Sequence, residues 1–318
     1  MSPAPRCRFM KGKVSFMKPT IRITTKRNDS RTFYLLISPW LVGLAMFVLG
    51  PIMASLVLSF YKWDLISPAR FVGFRNFNEM FKIDPLFWDS MRVTMTYVAF
   101  RVPLALVAAL LLALLMNQKL PGIGIFRTIY YLPSVVSGVA VSMMWIWVFN
   151  PNFGLMNGLL EGIGITGPGW FSSTTWALPT MILTSLYSIG STAIIFLAGL
   201  KNIPEALYEA AELDGATKLQ QLTRITIPQL TPTILFNLIM LLISSFQVFT
   251  EALVITNGGP GHATLFINLY MYQNAFTYSR LGYASALAWV LFVMTVVCAL
   301  YTFRSSRKWV YYEGGDQT

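Results

Sequence analysis

The side chains that could run acid–base, nucleophilic or metal chemistry in this sequence are thirteen acids, one histidine and two cysteines, and their spacing supports none of it. His262 has no second nitrogen or thiolate near it, which argues against a metal set or a nucleophile–base pair. Cys7 and Cys298 lie near opposite ends of the chain and frame neither a disulfide nor a metal site. No GxxxxGK[ST] stretch occurs, so the chain has no ordinary phosphate loop with which to hydrolyse ATP. What the spacing does offer is docking chemistry, in the stretch PEALYEAAELDGATKLQQLTRITIPQLTP from Pro204 to Pro232. Glu209 there can make a charge-assisted bond to a basic group on a partner. Ala210 and Ala211 beside it are small enough to let another surface approach the backbone.

The element that must present Glu209 is a helix. Pro204 suits a first helical turn, where its missing N–H is not needed, and Glu205 and Glu209 place negative charge near the positive helix end. Ala206, Leu207, Ala210 and Ala211 recur on one face, and Asp214-Gly215 is a strong turn pair. Leu219, Leu222 and Ile225 then predict a second short helix that Pro228 brings to an end. This helix, glycine elbow and helix, with Glu209-Ala210-Ala211, Asp214-Gly215-Ala216, Ile225 and Pro228 in place, resembles the EAA loop of ABC-type import permeases, which docks into a cleft on the ATPase subunit. The resemblance implies a coupling role for Glu209, Ala210, Ala211, Asp214, Gly215 and Pro228. The plainer reading is an amphipathic hairpin lying on the membrane surface.

The rest of the composition fits a membrane protein. Of 318 residues, 55% are hydrophobic and 12% charged, against about 25% charged in soluble domains. Long gaps in the charge pattern, together with the run 93–116 that contains one arginine, predict six membrane-crossing helices at about 33–60, 93–116, 128–149, 177–200, 230–254 and 282–303, each at or above the ~20 residues a crossing needs. The expected fold is an all-α six-helix transmembrane bundle, since only helices or closed barrels satisfy the backbone in lipid; the resemblance implies the type I importer permease architecture. The expected divisions are a basic arm at 1–32, the six-span domain at 33–304 with its coupling loop at 201–229, and a tail at 305–318. With the amino terminus placed in the cytoplasm, seventeen lysines and arginines fall inside and six outside, so the positive-inside rule puts both termini and the hairpin on the cytoplasmic side. The net charge of +11 sits beside the spans, where it serves topology and anionic lipid headgroups, and nucleic acid is not an expected partner.

Other stretches extend the resemblance over about residues 33 to 303. Phe71-Val72-Gly73-Phe74-Arg75-Asn76-Phe77 is similar to the FxGxxNF element of carbohydrate-uptake permeases. Pro133, Trp145 and Trp147, then Pro151, Gly154 and Asn157, and later Gly258-Gly259-Pro260 with Thr264, follow the same family pattern. The family implies a multi-pass subunit of the bacterial inner membrane with several partners: a second permease in a heterodimer, two ABC ATPases that use ATP and Mg, and a periplasmic or lipid-anchored solute-binding protein. It implies no cofactor bound to this chain and no catalytic residue in it.

A transporter needs polar groups along an apolar wall, and two helices supply them. At 100° per residue, Thr233, Asn237, Met240, Ser244, Gln247 and Glu251 share one side of the fifth span, and Thr180, Thr184, Tyr187 and Ser191 one side of the fourth. Interhelical hydrogen bonding would use the same residue types. Arg101, about eight residues into the second span, is costly unless paired or facing water. Glu251, the one acid inside an expected span, is its expected partner if the role is structural. A headgroup reached by snorkelling is another. The sharper reading is recognition of a carboxylate on the solute, favouring an acidic saccharide such as a uronate oligomer. Arg101, Tyr187, Asn237, Ser244 and Gln247 are therefore the candidate solute path. A stand-alone secondary carrier is the alternative, but it would place ionisable acids deep in its spans, and none is deep here.

Overall fold

The computed structural model describes residues 29–118 and 120–311, so most of the basic arm, Lys119 and the end of the tail lie outside the described residues. The chain forms two compact units, one ending at Ile52 and one beginning at Met53. In the first, helix α1 (Asp29–Leu44) runs into a π turn over Ala45–Leu49. No residue between 31 and 52 is buried. Helix α2 (Gly50–Leu58) follows.

The second unit opens with a two-stranded ribbon, β1 (Tyr61–Lys62) antiparallel to β2 (Arg70–Phe71), and a short helix α3 (Arg75–Lys82). Helix α4 (Pro85–Met116) is the axis of the fold. Its 32 residues span about 48 Å at 1.5 Å per residue. Asp84 caps it, accepting from Leu86 N at 3.0 Å and Phe87 N at 3.3 Å, and Pro85 takes the first position, which suits it.

The expected third span is not a straight helix. Helix α5 (Ile123–Tyr131) with the 3₁₀ turn Leu132–Val135 meets α6 (Gly138–Val148) at 100°; the break falls just after Pro133, which cannot donate to the ladder. Helix α7 (Leu155–Gly162) precedes another bent pair, α8 (Ala177–Ser185) and α9 (Gly190–Lys201), joined by a 3₁₀ turn at Leu186–Ser188 and angled by 49°. Gly190 sits where a Cβ would come within 1.9 Å of the Tyr130 carbonyl oxygen, so α5 and α9 cross at a point only glycine allows.

Helices α10 (Glu205–Leu213) and α11 (Lys218–Gln221) form the hairpin. A π turn at Leu222–Thr226 then leads into α12 (Ile227–Phe246), α13 (Ile267–Tyr272) and α14 (Leu281–Ser306). Among the described residues, four helices are long and apolar enough to cross a membrane, or six if each bent pair counts as one, in agreement with the expected number.

Helix α4 packs on α9 and α12, and α12 on α14. The inner face of α4 is mostly small, with Ala105, Ala109 and Ala113 buried. Phe100, Leu104, Val107, Leu111 and Leu115 face outward. Small residues inside and bulky ones outside is the membrane pattern, because close backbone approach replaces the hydrophobic drive that lipid removes. One core cluster, around Phe87, Tyr97, Phe246 and Phe266, fills the α4 amino-terminal half; another, around Met116, Phe196, Leu200 and Leu230, fills the carboxy-terminal end.

Candidate functional site

Between these two clusters lies a cavity of about 400 Å³. Helix α4 contributes Tyr97 and Arg101, the bend before α6 contributes Ser134, and α6 itself Trp145. The break between α8 and α9 contributes Tyr187, and the end of α12 contributes Ser244 with Gln247 and Glu251 just beyond. Four of the five candidate path residues thus meet in one place. Arg101 lies sixteen residues after Pro85 and fifteen before Met116, the middle of its helix. Helix α4 starts eight residues before residue 93, so Asp89 and Arg92 ride on its first turns and do not mark the end of the helix.

The expected Arg101–Glu251 ion pair is absent among the described residues. Instead Arg101 Nη1 donates to Ser245 Oγ at 2.6 Å and Ser244 Oγ at 3.2 Å, with its Cζ 5.7 Å from the centre of the Tyr97 ring. Its Nε is buried and has no partner among the described residues. The guanidinium is therefore held by neutral hydroxyls, which leave its charge uncancelled. The ring of Tyr187 meets Trp145 edge to face at 5.5 Å, giving the cavity an aromatic wall. Tyr97, one turn before Arg101, and Trp145 are among the lining residues that the polar stripes did not flag; an aromatic at i−4 from a cation inside a span was the available signal.

Asn237 is elsewhere. It is 1% exposed, does not line the cavity, and its Nδ2 lacks a partner among the described residues. The stripe drawn through it assumed one helix to residue 254, whereas α12 stops at Phe246 and Gln247 is its cap. In the fourth-span stripe, Thr180 and Thr184 return their hydroxyls to the backbone, to Trp176 O at 2.7 Å and Met181 O at 3.1 Å, while Thr184 and Tyr187 both line the cavity.

The hairpin matches its expectation with two changes. Pro204 is the N-cap, with φ −58° and ψ 130°, and lies just before the first turn. Pro228 does not end the second helix. The chain is helical from Lys218 to Phe246 because Ile227 N–H reaches Leu222 O, five residues back; Gly50 N–H does the same to Ala45 O before Pro51. In both places a wide turn carries the helix into a proline that cannot join its ladder. Gly215 takes φ +76°, and Ala216 N closes on Ala211 O at 2.9 Å. Thr217 and Gln220 form a reciprocal capping box. Lys218 Nζ reaches Glu212 Oε1 at 2.6 Å, which, with Gln221, holds the Glu212 carboxyl below the usual range. Tyr208 OH meets Thr226 Oγ1 at 2.9 Å. The hairpin is braced from within, while Glu209, Ala210, Asp214 and Gly215 remain exposed and Ala211 and Pro228 half-buried. Leu213 is 90% exposed.

Residues 101–308 match the family described as "Binding-protein-dependent transport system inner membrane component". The chain belongs to this family. Among similar proteins, the probable ABC transporter permease protein YesP of Bacillus subtilis (strain 168) is 45% identical over 295 residues, covering 92% of this chain and 95% of that one. The lactose transport system permease protein LacF of Rhizobium radiobacter is 34% identical over 299 residues, covering 92% and 99%. A crystal structure of a bacterial ABC transporter involved in the import of the acidic polysaccharide alginate superimposes with a TM-score of 0.78 at 26% identity, over 88% of this chain and 96% of that one.

In this permease the motif asparagines act as staples. Asn76 Nδ2 donates to Ser59 O at 2.7 Å and Tyr61 O at 3.0 Å. Asn157 donates to Pro151 O at 2.9 Å and accepts from Trp170 Nε1 at 2.5 Å. Asp84, unflagged by the sequence, accepts on its second oxygen from Tyr270 OH at 2.6 Å and from Tyr283 OH, tying the start of α4 to α13 and α14. Burial and then the Asp84 contact keep the Tyr270 phenol protonated far above its usual range.

Proposed function

We propose that this permease subunit gives a sugar or oligosaccharide its path through the bacterial inner membrane. The hairpin seats on an ABC ATPase through Glu209, Ala210, Ala211, Asp214 and Gly215, with Pro228 at the root of the helix that carries it. ATP and Mg are used by two such ATPases, and this chain is a non-catalytic subunit that binds no cofactor. A second permease completes the path, and a solute-binding protein delivers the solute at the face opposite the hairpin. The lysine and arginine counts favour the hairpin and both termini on the cytoplasmic side.

The observation that carries this reading is the continuous helix from Lys218 to Phe246. It begins in the hairpin and ends at the cavity, about 39 Å from Lys218 to Ser244 by helical rise, and Ser244 and Ser245 hold Arg101. A push on the hairpin therefore arrives at the groups that would hold the solute. Hydroxyls, the Gln247 amide and the Trp145–Tyr187 wall suit a saccharide, whose hydroxyls hydrogen-bond and whose apolar faces lie on aromatic rings.

Relatives of this chain handle both lactose and acidic alginate. The half-buried Arg101, held only by neutral hydroxyls, favours an acidic saccharide here, since a solute carboxylate would pair the cation. Reconstituted vesicles test both levels: uptake should need ATP, the ATPases and the binding protein, and transport by the chain alone would overturn the importer reading. In the same vesicles a uronate tetrasaccharide should compete better than a neutral one; equal competition would remove the acidic solute.

A further inference from the structure

The largest cavity described, about 760 Å³, lies at the end of the bundle away from the hairpin, between the β1–β2 ribbon, α3 and the start of α14. Its charges do not balance. Of its two acids, Asp64 spends its carboxylate on Ile66 N, Ser67 N and Ser67 Oγ, and Glu79 is ion-paired with Arg280. Lys62, Arg70 and Arg75 remain, with no acidic or hydrogen-bonding partner among the described residues.

Their placement breaks two local electrostatic rules at once. Lys62 and Arg70 are direct cross-strand partners in the ribbon, and like charges placed opposite one another destabilise a strand pair. Arg75 is the first residue of α3, where the helix dipole already makes the potential positive. The ribbon is two residues per strand and has little stability to lose. An anion in the cavity would relieve both conflicts, and broken local rules with no internal compensation are a mark of a binding site. The volume falls in the ~300–1,000 Å³ range of sites that enclose a small ligand, and the hollow is lined from several directions, unlike the flatter surface that a protein partner covers. Trp63 and Tyr278 add aromatic walls.

We propose that this cavity is an anion-binding vestibule that takes a carboxylate-bearing saccharide, held by Lys62, Arg70 and Arg75, before it reaches the Arg101 cavity. The identity of the ligand rests on the acidic-saccharide reading, but the site is separate from Arg101 and its binding is measured without transport. The same three cations would also accept a lipid phosphate, so the test distinguishes the two sources.

The assembled importer, without ATP and in nanodiscs of phosphatidylcholine, is titrated calorimetrically with a uronate tetrasaccharide and with its neutral counterpart. The uronate should bind and the neutral sugar should bind at least about tenfold more weakly, with affinity falling as salt rises. Replacing Lys62→Gln, Arg70→Gln and Arg75→Gln together should weaken uronate binding about tenfold. The charge-keeping set Lys62→Arg, Arg70→Lys and Arg75→Lys should retain it, which separates lost charge from lost fold. Uronate binding unchanged in the neutralised variant, or equal binding of both sugars, overturns the vestibule. Co-purified anionic lipid that is lost in the neutralised variant, together with uronate binding that disappears when phosphatidylglycerol is added, assigns the cations to lipid and overturns the saccharide. If Arg101→Gln abolishes uptake while calorimetric binding persists, the vestibule stands independently of the central cavity.

Discussion

The hairpin and the central cavity are built in opposite ways. The hairpin comes from one continuous segment, satisfies its polar groups internally through Glu212, Lys218, Gln221 and the Thr217 capping box, and leaves Glu209 and Leu213 outward. The cavity is assembled from four stretches far apart in the chain. It holds its cation on two serines and leaves one guanidinium nitrogen without a partner. On the proposed reading, the braced part with its exposed acid would transmit force to a partner, and the composite hollow with its unpartnered nitrogen would select the solute. Changes in the hairpin should therefore uncouple transport with solute affinity kept, and changes in the cavity should do the reverse.

The most severe test of that division is Glu209→Lys. Reversing the one acid flanked by small residues at a docking surface should lower solute-stimulated ATP hydrolysis by at least about 30-fold, as the loss of ~2 kcal/mol at an interface hot spot would. Membrane insertion and solute binding should persist. Normal turnover would take the docking role from this helix, and lost solute binding would merge the two regions. Arg101→Ala comes next. A hydrogen bond to a charged group is worth ~1.5–3 kcal/mol, so the uptake of uronate oligosaccharides should fall about 10- to 100-fold. Uptake of neutral ones should fall much less, with ATPase coupling retained. Equal loss for both solutes would make Arg101 a structural cation.

Gly215→Val probes the brace. A β-branched residue at φ +76° is strained by ~1–2 kcal/mol, which should speed hydrogen exchange at the Ala216 amide about 5- to 30-fold and lower coupled ATP hydrolysis less than Glu209→Lys does. Unchanged exchange would show that the elbow adds nothing to the stiffness of the hairpin.

The same difference in construction decides what could be read in advance. The hairpin was legible because its information is local: a turn pair, helical spacing and a capping pattern within some thirty residues. Its two departures both concern prolines: Pro204 falls one position before the first turn, and Pro228, expected as a stop, is carried into the helix by a π turn that no residue type announces. The number of spans was legible from the long apolar runs, but the ends of the helices were not, since Asp89 and Arg92 sit on α4 and the ribbon with α3 lay in a stretch legible only as the FxGxxNF motif. The cavity was half legible. Residue types picked out Arg101, Tyr187, Ser244 and Gln247, but straight-helix geometry could not foresee the 100° and 49° bends in the segments that carry Ser134, Trp145 and Tyr187.

The smallest expected effect concerns the pH dependence of the brace. Glu212 has its carboxyl drawn below the ordinary value of 4.5, first by the hydrogen bond from Lys218 and then by that from Gln221. A carboxyl whose folded value is depressed binds its proton more weakly in the folded hairpin than in the open one. The bridge therefore contributes fully above the ordinary carboxyl value and is lost as pH falls through the lowered one. The pair is exposed and screened, so the contribution is small. Exchange at the Ala216 and Gln221 amides, corrected for the intrinsic pH dependence of exchange, should show a modest rise in that window for the native chain. In Glu212→Gln the step should be missing while the capping box still holds α11. A step of the same size in Glu212→Gln would take the pH dependence away from the Glu212–Lys218 bridge, and the hairpin would then be braced by its backbone turn and capping box alone.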